Sequence, residues 1–502
     1  MALVKRLDVI PFRRLYNCVN LGQGTLATLI LLETRGTKMK KKQKSSVPNR
    51  QSVASASKLN PIHANAAGID IGSQNHWVCV PSGREAKCVR RFGCYTADLY
   101  AIADWLAECK VETVAMESTG VYWIPLFQIL ETRGFEVKLV NAHYVKTLPG
   151  RKTDVLDCQW LQQLHSYGLL SGSFRPEDDI CVLRSYIRQR DSLIRTASVH
   201  IQRMQKALTQ MNIQLHQAVS DITGTTGMAI IRAIVAGEHD PQVLAAKKHH
   251  RVKRSEAEIA AALHGDYRKE HLFVLQQELH LYDVYQTQIA ECDRQIEECL
   301  SQFNDKIDVA QSPLAPPKNP RHKPQGNEPA FDLRTHLYRM SGVDFTRVDG
   351  LGVLTVQIIL SEVGLDPSRF PTVKHFTSWL GLCPGSRITG GKVQSSQTRP
   401  VVNRAANAFR MAAQTAGKSH SALGAFYRRL RSRLGSPKAI TATAHKIARI
   451  FYQLWTTGGD YTDPGMDYYE LRYRERMVNN LHKKAQAFGF ELIPQPSGNL
   501  VS

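Results

Sequence analysis

The sequence contains no CxxC pair and no Cys/His group with the spacing of a zinc site, although it has ten cysteines in 502 residues. Zinc fingers and disulfide-rich secreted scaffolds are therefore excluded, and scattered cysteines are typical of a reduced, cytoplasmic protein. It also lacks an apolar run long enough to span a bilayer. Acidic residues are scarce, with 44 Asp and Glu against 65 Lys and Arg, so the net charge is +21. That excess favours a polyanionic partner, either nucleic acid or an anionic membrane surface.

The first 63 residues are expected to form a basic, disordered extension. A short apolar stretch, Leu26 to Leu32, follows Arg13 and Arg14 as in a signal peptide, but no small-residue cleavage site comes after it. A tract rich in Lys and Ser then runs from Lys38 to Lys58, where phosphates could bind. Translation from Met39 is an alternative that the sequence leaves open.

Residues 64–180 show strand and helix patterns in alternation. Three short strands are predicted first, at 66–72, 76–81 and 86–92, and a helix at 97–109 follows them. Next come a strand at 111–116, a helix at 121–132, a strand at 135–140 and a helix that carries Asp154. Three sequential strands followed by two βα units predict a mixed sheet with helices packed on it, an α/β fold.

Four acids in this region are candidate metal ligands. Asp70 lies within an apolar strand, where an unpaired carboxylate costs several kcal/mol, and Glu117 directly follows another strand. Asp154 and Asp157 are three residues apart, so they share one face of a helix and repel each other unless a cation lies between them. Mg²⁺ prefers such oxygen ligands. The alternatives are a solvated helix start for the Asp pair and ordinary ion pairing for all four acids.

Three segments in this order, GID (68–70), MESTGVY (116–122) and KTDVLD (152–157), resemble the motifs of the DEDD transposases. This insertion-sequence family works with a bridge RNA. The resemblance implies a ribonuclease H-like, RuvC-type domain at residues 64–180. It also implies that Asp70, Glu117, Asp154 and Asp157 are catalytic and bind Mg²⁺, with Mn²⁺ as a substitute, and that Lys152 contacts nucleic acid.

The middle of the chain has a heptad pattern. Ile187, Ile194 and Ile201 begin one series with a spacing of seven residues, and Leu275, Tyr282 and Ile289 begin another. Such repeats predict long helices that pair as a coiled coil over residues 181–308, which would supply dimerisation. Residues 309–332 are rich in Pro and predict an extended linker.

Residues 333–460 are predicted to form a mainly helical domain that resembles the second domain of the same transposases, followed by a tail at 461–502. In that family a hydroxyl residue directly before Gly is the nucleophile, often Ser, and Thr389 occupies the matching position here. Ser395 and Ser396 are the alternative nucleophiles. Basic residues nearby are the candidate nucleic-acid ligands: Lys392, Arg399, Arg404, Arg428 and Arg429.

These features together predict a transposase that cuts and rejoins DNA strands with the help of metal ions. The expected partners are DNA at the element ends and target, a non-coding guide RNA, and further copies of the chain in a dimer or tetramer, with no membrane. The resemblance implies a composite site shared between protomers and a cytoplasmic, nucleoid-associated location. Two alternatives remain: a junction-resolving nuclease of the RuvC type that uses metal-activated water, and an inactive nucleic-acid-binding protein.

Overall fold

The structure is a computed structural model that describes residues 60–141, 153–318 and 327–493. The predicted N-terminal extension lies outside these residues up to position 59, and so does Lys152. The chain divides into two compact units, with the boundary between Gly172 and Ser173.

The first unit is a mixed sheet with helices, as the sequence predicts. Its five strands lie in the order β3-β2-β1-β4-β5, with β1 antiparallel to β2 and parallel to β4. β2 pairs with β3 in antiparallel fashion, and β4 pairs with β5 in parallel. The elements are β1 (Ala66–Ile71), β2 (His76–Cys79), β3 (Val89–Phe92), α1 (Thr96–Glu108), β4 (Thr113–Glu117), α2 (Trp123–Thr132), β5 (Glu136–Val140) and α3 (Asp154–Ser166).

The two faces of this sheet are buried against different helices, because successive side chains of a strand point to opposite faces. Ile69, Val114 and Met116 belong to a core that includes the apolar faces of α1 and α2. Ala115 and Val140 lie on the other face and pack against Leu161 of α3. The apolar runs of β1 and β4 reflect this burial on both faces.

The second unit begins with two long helices separated by four short ones. These helices are α4 (Asp178–Gln210), α5 (Leu215–Ala218), α6 (Thr225–Val235), α7 (Pro241–Ala245), α8 (Glu256–Leu263) and α9 (Lys269–Ser301). Arg190 of α4 pairs with Asp293 of α9, and His200 pairs with Glu278, so the long helices run antiparallel. The predicted coiled coil is therefore an intramolecular pair.

The rest of the second unit is mainly helical, which confirms the predicted class. Its elements are α10 (Leu333–Ser341), α11 (Val353–Val363), α12 (Val373–Trp379), β6 (Arg387–Thr389), β7 (Lys392–Ser395), α13 (Arg404–Ala416), α14 (Ala422–Leu434), α15 (Ser436–Thr457) and α16 (Met466–Ala487), with 3-10 turns at Phe345–Arg347 and Pro367–Arg369. Phe345, Phe376, Phe409 and Phe451 are fully buried at its centre. The rings of Phe345 and Phe451 stack with centroids 4.1 Å apart.

Part of the Pro-rich stretch predicted as a linker contacts this helical core. The Arg334 guanidinium donates to the Ala315 carbonyl at 2.9 Å, and that of Arg347 donates to the Pro316 carbonyl at 3.3 Å. These bonds hold residues 315–316 against α10 and the turn that follows it. Residues 319–326 lie outside the described part of the chain.

Candidate active site

Asp70 and Glu117 lie side by side on the two central strands. Ile69 of β1 is paired with Met116 of β4 in parallel register, so each acid occupies the next position along its own strand. Neighbouring strands lie about 4.8 Å apart, and alternation places both acids on the face opposite Ile69 and Met116. Glu117 is only 6% exposed and accepts a hydrogen bond from Thr119 Oγ1 at 3.3 Å.

Helix α3 covers this face, and Gly68 explains how it comes so close. A Cβ atom at Gly68 would lie 2.3 Å from the backbone N of Gln162 and 2.5 Å from the carbonyl O of Cys158. Only a residue without a side chain fits there. Two residues earlier in β1, the carbonyl of Ala66 accepts a bond from Gln162 Nε2 at 3.2 Å. The helix therefore passes directly over β1.

The contacts also fix the direction of α3. Ala66 and Gly68 meet the part of the helix from Cys158 to Gln162, and His165, near its end, contacts Thr113 at the start of β4. Moving toward the carboxyl end of β1 thus means moving toward the N-terminus of α3. Asp154 and Asp157, in the first turn of α3, are accordingly at the same edge of the sheet as Asp70 and Glu117.

The N-terminal turn of α3 is closed by a side-chain cap. Thr153 caps the helix by accepting a bond from the Leu156 N–H at 3.4 Å. Asp154 is exposed and Asp157 is half-buried. Both carboxylates lie at the positive end of the helix dipole, where each gains about 0.3–1 kcal/mol. This gain offsets part of their mutual repulsion.

Four carboxylates at one sheet edge are a donor set that fits Mg²⁺ or Mn²⁺, since all donors are hard oxygens. Asp70 and Glu117 are on rigid strands, whereas Asp154 and Asp157 are on a helix that the contacts of Gly68 position. Within the described ranges, no three His, Cys, Asp or Glu side chains are close enough together to hold a metal ion. The backbone brings the four acids to one edge, and the side chains are not drawn together into a closed cluster.

His165 anchors the far end of α3 and is a residue that the sequence did not single out. Its Nε2 lies 2.9 Å from Thr113 Oγ1, which itself donates to the Glu136 carbonyl at 3.0 Å. Burial, with smaller contributions from Lys138 and His63, lowers the pKa of His165 to about 4. A neutral imidazole that donates from Nε2 to Thr113 satisfies this geometry. The only signal in the sequence was a polar residue at a buried helix position.

Thr389 stands at the tip of a two-stranded hairpin in the second unit. It pairs with Lys392 across a two-residue turn, Gly390-Gly391, whose φ angles are 55° and 74°. Such turns need positive φ at both central positions, which glycine adopts without strain. Thr389 and Lys392 are both exposed. The hydroxyl and the ammonium group therefore share an accessible tip.

The alternative nucleophiles are placed differently. Ser395 is half-buried at the base of the hairpin, paired with Arg387, and its Oγ accepts a bond from the Gln397 N–H at 3.3 Å. Ser396 is exposed just beyond β7. Of the three hydroxyls, that of Thr389 is the one beside the glycine turn and a lysine.

The predicted nucleic-acid ligands fall into two groups. Lys392 and Arg404 are at the surface, where Arg404 lies 3.4 Å from Asp191, and Arg399 donates to the Ser378 carbonyl at 2.7 Å. Arg428 and Arg429 are instead engaged inside the protein. The Arg428 guanidinium donates to two carbonyls of the loop before α14, at 3.0 and 2.7 Å, and that of Arg429 lies 3.4 Å from the centre of the Tyr473 ring of α16.

Two protein-family models match the chain. One, described as a transposase and specific to the DEDD type of IS110 elements, matches residues 67–213 and so contains Asp70, Glu117, Asp154 and Asp157. The other, described as the transposase IS116/IS110/IS902 family, matches residues 344–428 and contains Thr389. Both matched segments are similar to insertion-sequence transposases of this family.

The two matches support a transposase role and DNA as the substrate. None of the curated proteins matches this transposase. Residues 214–343, between the two matched segments, belong to neither family model. In the part of the chain that the structure describes, no helix is long and apolar enough to cross a membrane.

Proposed function

We propose that this transposase cuts and rejoins DNA strands by metal-dependent phosphodiester transfer. In this proposal Asp70, Glu117, Asp154 and Asp157 bind Mg²⁺ or Mn²⁺, and Thr389 is the nucleophile. One observation carries the proposal: the parallel register of β1 and β4 and the close seat of α3 on Gly68 bring the four acids to the same edge of the sheet.

A phosphodiester resists attack because it is anionic and its leaving oxygen is a poor leaving group. Metal ions bound by the acids would neutralise this charge and stabilise the attacking and leaving oxygens. Glu117 and Asp70 would provide fixed ligands, since a β-strand in the centre of a sheet cannot shift easily. Asp154 and Asp157 would complete the set from the first turn of α3.

Thr389 would conserve the energy of the broken phosphodiester. Its Oγ attacks phosphorus, a new O–P bond forms, the bond to the leaving strand oxygen breaks, and the hydroxyl proton ends on that oxygen. In the second step the hydroxyl of another DNA strand attacks the same phosphorus and displaces Thr389 Oγ, which regains a proton. No bond energy is lost to water, so the strands are rejoined without an added energy source.

A guide RNA is part of this proposal, on the ground of the family motifs and the net charge of +21. Assembly into a dimer or tetramer is also proposed. Helices α4 and α9 bury part of their apolar surface against each other within one chain. Val199 of α4 and Phe273 of α9 are 42% and 62% exposed, so these helices as well as other surfaces could take part in self-association.

The acidic site is tested by plasmid recombination and cleavage with Asp70→Ala and Asp154→Asn. Each variant should lose more than about 100-fold in strand cleavage, because even groups that only support a metal ligand contribute about 10–100-fold. Glu108→Gln is the matched control, since it removes one exposed carboxylate from α1. All three variants should keep the far-UV circular dichroism spectrum and the DNA affinity of the wild type.

Recombination at normal rates in either variant would contradict the metal assignment. Nicked plasmids without rejoined strands would favour the junction-resolving nuclease. The same assay with the element's own non-coding RNA and with a scrambled RNA of equal length tests the guide. Equal activity with both RNAs would leave a transposase that is not guided.

A further inference from the structure

The four short helices between α4 and α9 form a module with its own apolar core. Ile230, Leu244, Ile259 and Leu275 are fully buried within one cluster there. The module lies in the stretch that neither family model matches. The family matches therefore indicate no role for this module.

The module carries the densest basic segment that the structure describes in this region. Lys247 to Arg254 reads KKHHRVKR, with five Lys or Arg and no acid in eight residues. Arg254 forms an ion pair with Glu258 at 2.9 Å. Across the described ranges, Lys247, Lys248, Arg251 and Lys253 form no ion pair. Among the described residues, no acid neutralises these four charges through an ion pair.

This segment forms one side of an open cavity of about 660 Å³. Arg251, Lys253 and Arg254 line it together with His249, and the opposite wall runs from His216 to the start of α6. Asp221 is the one acid among the lining residues, and its carboxylate accepts bonds from the Thr223 N–H and hydroxyl at 2.9 and 2.7 Å. With three Lys or Arg side chains and one Asp, the lining has a net positive charge.

The wall that carries the basic residues is held in place. Thr226, in the first turn of α6, is 5% exposed, and its Oγ1 accepts a bond from the His249 N–H at 3.0 Å. Gly224 gives α6 no side-chain cap, and Gly224 and Thr225 line the same cavity, so the first N–H groups of the helix add to its positive character. A preformed, positive cavity binds anions without ordering a loop first.

The lining residues also indicate which anion fits. They include no Phe, Tyr or Trp, and their planar groups are the imidazoles of His216 and His249 and two guanidinium groups, so the cavity offers more positive charge than stacking surface. A duplex presents its phosphates outward and keeps its bases stacked inside, and it needs no such surface. We propose that this cavity binds backbone phosphates of duplex DNA, as an additional contact made outside the family-matched segments; the proposal rests on the transposase function above.

The test compares the affinity of the full chain for a duplex of arbitrary sequence. Arg251→Gln with Lys253→Gln removes two lining charges, and both side chains are exposed, so folding should be unaffected. Lys206→Gln with Lys269→Gln is the matched control, because it removes two exposed lysines of the flanking helices that do not line the cavity.

Fluorescence anisotropy across a salt series gives both affinity and salt dependence. The cavity variant should bind the duplex several-fold more weakly at about 0.15 M salt. Its slope of log K against log salt should be shallower by about 0.9 for each phosphate that the variant no longer neutralises, up to about 1.8 for two phosphates. The control should keep the slope of the wild type.

Equal slopes for the cavity variant and the control would overturn the proposal. Tight binding of inorganic phosphate that the cavity variant loses, together with unchanged DNA affinity, would make the cavity a site for free anions and also overturn it. A cavity variant that loses affinity for RNA and keeps its affinity for duplex DNA would also overturn the proposal. Failure of the transposase function is distinguishable, since it would appear as a wild-type protein that binds DNA and cuts no strand.

Discussion

Gly68 shows how much a single residue decides in this transposase. With no side chain, it lets the backbone of α3 approach β1, and any Cβ would meet the backbone of Gln162 and Cys158 at less than 3 Å. A substitution there would push α3 away from the sheet and move Asp154 and Asp157 from Asp70. Gly68 therefore positions Asp154 and Asp157 of α3 relative to Asp70 of β1.

Thr389 gives the sharpest prediction for a single side chain. Thr389→Ser keeps a hydroxyl and should retain strand transfer, whereas Thr389→Val keeps the shape, loses the nucleophile and should fall by more than about 1,000-fold. Both changes are at an exposed position, so the free energy of unfolding should change by less than about 0.5 kcal/mol. A nicked suicide substrate should trap DNA on the protein, and peptide mapping should locate it at Thr389.

Ser395→Ala is the control for this experiment and should leave the adduct in place. An adduct mapped to Ser395 or Ser396 would move the nucleophile to that residue. If the wild-type protein forms no adduct at all, water is the attacking group, and the nuclease alternative is favoured.

Among the secondary-structure elements, the pairing of α4 with α9 depends on a buried ion pair within an apolar seam. The side chains of Arg190 and Asp293 are 7% and 15% exposed, and Arg190 also donates to the Asn327 carbonyl at 3.0 Å. A charge in such surroundings is stable only while its partner is present. We therefore expect this pair to help set the register of the two long helices.

Asp293→Ala should destabilise the helix pair by about 3–5 kcal/mol, because it leaves the Arg190 charge buried without a partner. Amide hydrogen exchange within α4 and α9, measured on the full chain, would report the loss as faster exchange in both helices. Glu291→Ala is the control: its pair with Arg294 is more than half exposed, so solvent screens it and its loss should change stability little.

A double replacement, Arg190→Met with Asp293→Leu, should recover most of the lost stability, since apolar residues of similar volume replace a buried ion pair at little cost. Exchange rates in Asp293→Ala that match those of Glu291→Ala would show that the pair is not what holds the two helices in register.

For the molecule as a whole, self-association requires exposed apolar surface, and α16 offers one such surface. Helix α16 packs on α14 through Tyr469 and has no buried residue. Leu471, Val478 and Leu481 on this helix are 56%, 40% and 48% exposed. Glu470 near its start and Lys484 near its end would face each other if two copies of α16 paired antiparallel.

We expect the transposase to form at least a dimer in which α16 contacts its copy. Light scattering should give the mass of two or more chains for the wild type, and a single chain for Val478→Asp with Leu481→Asp, because charges would replace the apolar contact. Asn479→Asp with Asn480→Asp adds the same charge without removing apolar side chains and should remain oligomeric. A wild-type monomer, with and without DNA, would end this prediction.

Local structure follows from the sequence alone: the strands of the first unit, the helix at Asp154, the two long heptad helices and the four acids as candidate metal ligands. Periodicity, helix capping and motif spacing predict them, and these depend on residues close together in the chain. The register of β1 with β4, the seat of α3 on Gly68 and the pairing of α4 with α9 within one chain emerge only in the folded molecule. So do the internal partners of Arg428 and Arg429 and the cavity beside Arg251. Each of these depends on contacts between residues far apart in the sequence, and local sequence patterns do not predict the free energies of such contacts.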